Sequence, residues 1–159
     1  MDSQHRIALS ASMMCADLLH VARDVEALEA GGIDRFHVDL MDGNYVPNLG
    51  LSVDFVGQLA AKATRPIDVH MMVMHPDLFL EPLSKAGASV VTVHPETLGT
   101  GVFRTIRRIR DLGMAPGVAV NPLVSAEAIW PLLPEIERVV VMTVDPGFAG
   151  QPFLPGMIE

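Results

Sequence analysis

Arg35-Phe36-His37-Val38-Asp39-Leu40-Met41 is the stretch on which the fold turns. Phe36, Val38 and Leu40 alternate with His37, Asp39 and Met41, the period of two that sends successive side chains to opposite faces of a strand. Such a run, nearly continuous in hydrophobicity, belongs to a parallel sheet covered by helices. Working outward, five more short runs rich in β-branched residues occupy 7–10, 67–73, 89–94, 115–121 and 138–144. They recur at roughly 25-residue spacing, the length of a strand plus a helix and two short loops.

The stretches between them carry apolar residues at helical spacing. In 17–30 these are Leu18, Val21, Val25 and Leu28, with Asp17 the expected N-cap and Gly31-Gly32 the stop. In 100–112 they are Val102, Ile106 and Ile109, while Arg104, Arg107, Arg108 and Arg110 lie mostly on the opposite, solvated face. The helix after His75 contains Pro82, which lacks an amide proton, so a kink or a late start is expected. This alternation fits a doubly wound open sheet or a (β/α)8 barrel. No G-x-G-x-x-G follows the first strand, which weakens the dinucleotide-binding version of the open sheet. Polar residues gather at the C-terminal ends of the strands, where barrel enzymes keep their chemistry. The expectation is an α/β chain, a single domain over 1–159, built as a (β/α)8 TIM barrel truncated after about six βα units.

Composition narrows the function classes. Of 159 residues, 50% are hydrophobic and only 19% charged, which excludes a disordered chain. A net charge of −8 argues against a nucleic-acid or anionic-membrane surface, since both need a positive excess. One cysteine makes neither an internal disulfide nor a multi-thiolate zinc site. No apolar run approaches the roughly 18 residues of a membrane span. The stretch 7–19 is interrupted by Asp17, and 1–6 lacks the basic excess of a leader, so a cytoplasmic location is expected.

Three groups of residues carry candidate chemistry. His37, Asp39 and Met41 share one strand face, and Asp68, His70 and Met72 share one face of the next run. If both faces point into a barrel, His37, Asp39 and His70 converge near its C-terminal rim. Two imidazoles and a carboxylate suit a divalent transition metal such as Zn²⁺, Fe²⁺ or Mn²⁺. Hydrogen-bonded core histidines are the alternative, and spacing goes no further. The second group is Asp145-Pro146-Gly147-Phe148-Ala149-Gly150-Gln151, whose glycines allow a backbone to approach an anion such as a phosphate. A plain Pro-Gly turn is its bland reading. The third, 41–48, is a turn-rich loop beside the candidate ligands and a candidate rim of the pocket.

Taken in order, three motifs resemble the ribulose-phosphate 3-epimerase family. They are His37-Val38-Asp39-Leu40-Met41-Asp42-Gly43-Asn44-Tyr45-Val46-Pro47-Asn48, then His70-Met71-Met72-Val73, then Val144 through Gln151. The likeness runs from about residue 7 to the end. Within the family, Ser12-Met13-Met14-Cys15-Ala16-Asp17, His94-Pro95-Glu96-Thr97 and the segment 142–153 resemble the D-allulose-6-phosphate 3-epimerases. The resemblance implies a (β/α)8 barrel of the ribulose-phosphate-binding type that inverts C3 of a ketose phosphate through an enediolate. It implies one divalent metal ion (Zn, Fe, Mn or Co) on His37, Asp39 and His70, and no organic cofactor. Asp39 would also be the base; Ser12 and His70 would contact substrate. Met41 and Met72 would cap the enediolate, with core packing as their bland alternative. Gly147, Phe148, Ala149 and Gly150 would approach the phosphate.

The implied activity is interconversion of allulose 6-phosphate and fructose 6-phosphate in the cytoplasm, with ribulose 5-phosphate and xylulose 5-phosphate as the alternative pair. The partner is the phosphorylated ketose, with a homo-oligomer allowed and neither nucleic acid nor membrane expected. In the family a second catalytic carboxylate, also a metal ligand, comes from a seventh strand. The chain ends at Glu159, so a fragment of a longer product is expected. A catalytically silent barrel fragment and a metal-free sugar-phosphate isomerase stay open beside the epimerase.

Overall fold

The computed structural model describes residues 7–157. The stretch 1–6, read above for a leader, and residues 158–159 lie outside them. Six strands form one sheet in chain order: β1 (Ser10–Ser12), β2 (Arg35–Met41), β3 (Ile67–Met72), β4 (Val90–Val93), β5 (Ala115–Val120) and β6 (Arg138–Val141). Every neighbouring pair is parallel. A doubly wound sheet reverses its strand order at a switch point. This one never does, which is the order of successive units in a (β/α)8 barrel. The fold is six parallel strands of such a barrel with their helices.

The helices are α1 (Val21–Ala30), α2 (Val53–Lys62), α3 (Leu80–Ala86) and α4 (Val102–Asp111). They pack on one face of the sheet. Phe36, Val38, Val69, Met71, Val91, Val93 and Val118 from the strands join Val56, Leu59, Leu80, Leu83, Ile106 and Ile109 from the helices in one buried cluster. Burying each such side chain contributes on the order of 1.5–3 kcal/mol. Because strand side chains alternate, covering this face commits His37, Asp39, Asp68, His70 and Thr92 to the other. Among the described residues no helix is long and apolar enough to cross a membrane.

Two expectations are corrected. The first strand is not 7–10 but Ser10–Ser12, because pairing with β2 begins at Ser10↔Arg35. Leu9 is held by its backbone alone, its N–H donating to Asp34 Oδ2 at 2.8 Å, and Ile7 is 83% exposed. Asp17 is not the N-cap of the first helix, which starts at Val21. Its carboxylate instead accepts from the Leu19 N–H, a local turn of the kind Asp favours, and Leu18 is left 60% exposed outside the helix.

The other strands start within a residue of their signals, but β6 ends at Val141 rather than at 144. Gly31 closes α1. Pro82 falls in the first turn of α3, where an amide has no intrahelical partner, and a 3₁₀ turn at Pro76–Leu78 precedes it. This is the late start. The α4 arginines are exposed while Ile106 and Ile109 are buried. Between β5 and β6, Pro131 and Pro134 keep Ala126–Glu135 in 3₁₀ turns.

Candidate metal centre

Strand register assembles the site. Asp39 pairs with His70 and His37 with Asp68 across β2 and β3. Asp39 Oδ1 lies 3.2 Å from His37 Nε2 and 3.2 Å from His70 Nδ1. Its other oxygen accepts a hydrogen bond from Ser12 Oγ at 3.1 Å, from the end of β1. One ligand atom from each of His37, Asp39 and His70 falls within a 4.8 Å cluster. Asp39 is 8% exposed and His70 2%. His37 Nδ1 is 2.9 Å from Asp68 Oδ2, which Arg138 Nη1 also contacts. A carboxylate behind an imidazole is the outer arrangement that orients a metal-bound histidine. Two nitrogens and one oxygen with this support fit a divalent ion of the zinc, iron, manganese or cobalt kind.

Electrostatics sets the protonation of the three groups. Burial alone would lower His37, but hydrogen bonds to Asp39 and Asp68 outweigh it and carry its pKa up to about 10. Burial likewise pushes Asp39 up, yet His37 and His70 hold it well below the usual carboxylate range. His70 is pushed below 6.5, chiefly by burial. At neutral pH the centre therefore holds an imidazolium at His37, a carboxylate at Asp39 and a neutral imidazole at His70. A divalent ion held by these three groups would have to displace one proton, from His37.

A cavity of about 260 Å³ opens onto these groups, lined by Ser12, His37, Asp39, Met41, His70, Met72, Gly147, Phe148 and Ala149 among others. The structure thus brings together all the candidate site residues except Gly150, which belongs to the same loop but does not line the cavity. Met41 and Met72 are buried with Val46 beside the imidazoles. Asn48 Nδ2 donates to the Gly147 carbonyl at 2.7 Å, tying the loop after β2 to the loop after β6. Gly147 has φ 120°, and a Cβ there would come within 3.1 Å of Val46 Cβ. A larger groove of about 770 Å³ lies between Pro76–Leu78 and α4, away from the paired imidazoles.

Several polar residues around the centre had been given no chemical role by the sequence. Asp68 had its signal, since it shares the phase of His70; Arg138 reaches it from β6, which no spacing reveals. On the far side of His70, Nε2 lies 2.9 Å from His94 Nε2. His94 Nδ1 is 2.9 Å from Tyr45 Oη and 3.2 Å from Glu96 Oε1. Tyr45 donates to Glu96 Oε1 at 2.7 Å, and Asn121 Nδ2 donates to Tyr45 Oη at 3.1 Å. The clue to His94 was its parity: Thr92 pairs with His70, and His94 follows two residues on.

Residues 8–159 match the sequence profile of the Ribulose-phosphate 3 epimerase family. Ribulose-phosphate 3-epimerase 1 of Cupriavidus necator is 40% identical over 162 residues, covering 99% of this chain and 65% of that protein. The cytoplasmic isoform of ribulose-phosphate 3-epimerase from Oryza sativa subsp. japonica is 38% identical over 154 residues, covering 95% of this chain and 68% of that protein. The chain therefore spans about two thirds of the length of these relatives, and slightly less of the first. Among solved structures, tryptophan synthase from M. tuberculosis superposes with a TM-score of 0.61 at 17% identity, covering 86% of this chain and 65% of that one. That likeness concerns the fold alone.

Proposed function

Since the chain belongs to the ribulose-phosphate 3-epimerase family, we propose that it is a metal-dependent ketose-phosphate 3-epimerase acting between ribulose 5-phosphate and xylulose 5-phosphate. The observation that carries the reading is the convergence of His37, Asp39 and His70 beside Ser12 on one cavity. Relatives at 40% and 38% identity are named for the pentose phosphate, which supports that pair over the allulose 6-phosphate expected above. In this reading residues 1–159 are one domain, the first six units of an eight-unit barrel. The cytoplasm is its proposed location, in keeping with the rice relative's name.

Each residue has a task. Ser12 donates to Asp39 Oδ2 and fixes the carboxylate that takes the C3 proton. A carboxylate held so far below its usual range is a weak base, so the proton it takes must be made more acidic. His37, Asp39 and His70 would hold a divalent ion, which would supply this as a Lewis acid for charge developing on the ketose oxygens. Met41 and Met72 exclude water without offering a competing proton. The 147–150 backbone approaches the phosphate, Gly147 and Gly150 having positive φ and no side chain to keep an anion away.

The test is deuterium uptake at C3 in D₂O with Mn²⁺-loaded protein, run on both sugar-phosphate pairs. The expected result is exchange at C3 of ribulose 5-phosphate, faster than at C3 of any hexose phosphate; inversion to xylulose 5-phosphate needs in addition the second acid that the family resemblance places on a seventh strand. A higher kcat/KM on allulose 6-phosphate would return the reading to the hexose. No C3 exchange on either pair would overturn the epimerase reading, and full activity after exhaustive chelation would remove the metal.

A further inference from the structure

We propose that His94 is a positioning residue for the metal centre: anchored by Glu96 and Tyr45, it accepts a hydrogen bond from His70 Nε2–H and so locks His70 in the tautomer whose Nδ1 lone pair faces the ion. This rests on the metal-dependent reading above.

The direction of the chain follows from counting protons. Glu96 is held ionised: burial raises it, but hydrogen bonds from His94 and Tyr45 outweigh burial. An ionised carboxylate only accepts. The Tyr45 hydroxyl, 2.7 Å from Glu96 Oε1, therefore spends its single proton there. Asn121 Nδ2 donates to the same phenolic oxygen at 3.1 Å. Toward His94, Tyr45 can then only accept. His94 Nδ1 faces two acceptors, the phenol at 2.9 Å and the carboxylate at 3.2 Å, so this nitrogen carries the proton.

His94 is fully buried and stacks on His70 with ring centroids 5.0 Å apart. A His94 that carries its one proton on Nδ1 has a bare Nε2 with which to accept. The two Nε2 atoms are 2.9 Å apart, a hydrogen bond that needs one proton, and His70 must provide it. A neutral His70 with its proton on Nε2 has a bare Nδ1, and that atom points at Asp39 Oδ1 from 3.2 Å. Two lone pairs face each other there, an arrangement a cation between them makes favourable. The opposite tautomer set would move the same opposition to the other end, a bare His94 Nδ1 3.2 Å from the ionised Glu96 Oε1, where among the described residues no ligand cluster stands ready to hold a cation. On the other side of the centre His37 leans on Asp68, so each imidazole has its own outer support. The His94 branch also reaches the rim, because Tyr45 sits in the loop after β2.

The test pairs two measurements on the intact protein: the His70 tautomer by long-range ¹H–¹⁵N NMR of the metal-free form, and Co²⁺ affinity by visible absorption against a competing chelator. Wild type is expected to show His70 protonated on Nε2 and bare on Nδ1. His94→Phe keeps the aromatic bulk but removes the acceptor; it should lose the single tautomer and weaken Co²⁺ about ten- to a hundredfold, the usual effect of removing an outer partner. His94→Gln can return an oxygen near the lost nitrogen and should recover affinity to within about threefold of wild type on the same scale. Should His94→Phe fail to fold, Glu96→Gln, which swaps the acceptor-only group for an amide, should still mix the His70 tautomers. A wild-type proton on Nδ1, Co²⁺ affinity in His94→Phe equal to wild type, or a His94→Gln variant as weak as His94→Phe would each overturn the proposal. If wild-type Co²⁺ binding is absent or indifferent to His37→Ala, the metal reading fails instead, and the tautomer measurement still decides the role of His94.

Discussion

Raising the pH from 7.0 to 8.5 should tighten Mn²⁺ binding about thirty-fold, and the reason lies in one proton. Of the three candidate ligands, Asp39 is ionised well below neutrality and His70 is neutral because it is buried. His37 alone carries a proton that must leave, since Asp39 and Asp68 lift its pKa to about 10. One proton released per ion makes the dissociation constant fall about tenfold per pH unit until that pKa is reached. An imidazole titrating near its ordinary value of about 6.5 would give less than a twofold change over the same interval. Isothermal titration in two buffers of different ionisation enthalpy counts the protons directly. About one per ion is expected at pH 7.5. A count near zero, with affinity flat above pH 7, would refute the argument that Asp39 and Asp68 hold His37 charged. A count near two would refute the assignment of His70 as neutral.

The same group dictates stability without metal. His37 has a folded pKa above its unfolded value, so its contribution is complete below about pH 6.5 and is lost as pH rises through about 10. The metal-free protein should therefore melt at a lower temperature at pH 9.5 than at pH 7, and an unchanged Tm would contradict the pairing. Asp39→Asn should slow C3-hydrogen exchange by at least about 10²–10⁴-fold while the circular dichroism stays unchanged; undiminished exchange removes Asp39 as the base. Asp68→Asn leaves the Arg138 guanidinium without its buried partner and should cost about 3–5 kcal/mol in urea unfolding, with weaker Mn²⁺ binding. Gly50→Ala places a Cβ 2.5 Å from the Asp39 carbonyl oxygen and 2.8 Å from the Met41 nitrogen. Both are backbone atoms of β2, so a loss of about 1–3 kcal/mol is expected, and a wild-type Tm would show that the strand end yields freely.

Much of this molecule was legible before any coordinates. Period-two runs at a strand-plus-helix spacing determined six parallel strands, because each intervening helix returns the chain to start its next strand in the same direction. β2 spans the whole of 35–41, where alternation and turn signals agree. The same parity placed His37, Asp39 and His70 on one side of the sheet, and the glycines of 147–150 marked a loop of positive φ. The sequence misled where polarity and burial part company. Ile7 and Leu9 are apolar but have no strand to cover them, and Asp17 spends its carboxylate on its own turn.

What only the tertiary structure decided is who supports the ligands, and how. Spacing along one strand reports which face a residue takes, but not which residue of a distant element will meet it there. Tyr45 and Asn121 stand 76 positions apart and Asp68 and Arg138 70 apart, yet both pairs are in hydrogen-bond contact. The first pair meets where the loops after β2 and β5 reach one rim, and the second crosses the inner face of the sheet from the starts of β3 and β6. Such contacts also determine chemistry that composition cannot carry: the imidazolium of His37 and the neutral imidazole of His70 are the same residue type. Two carboxylates hold the first, while burial against His94 decides the second.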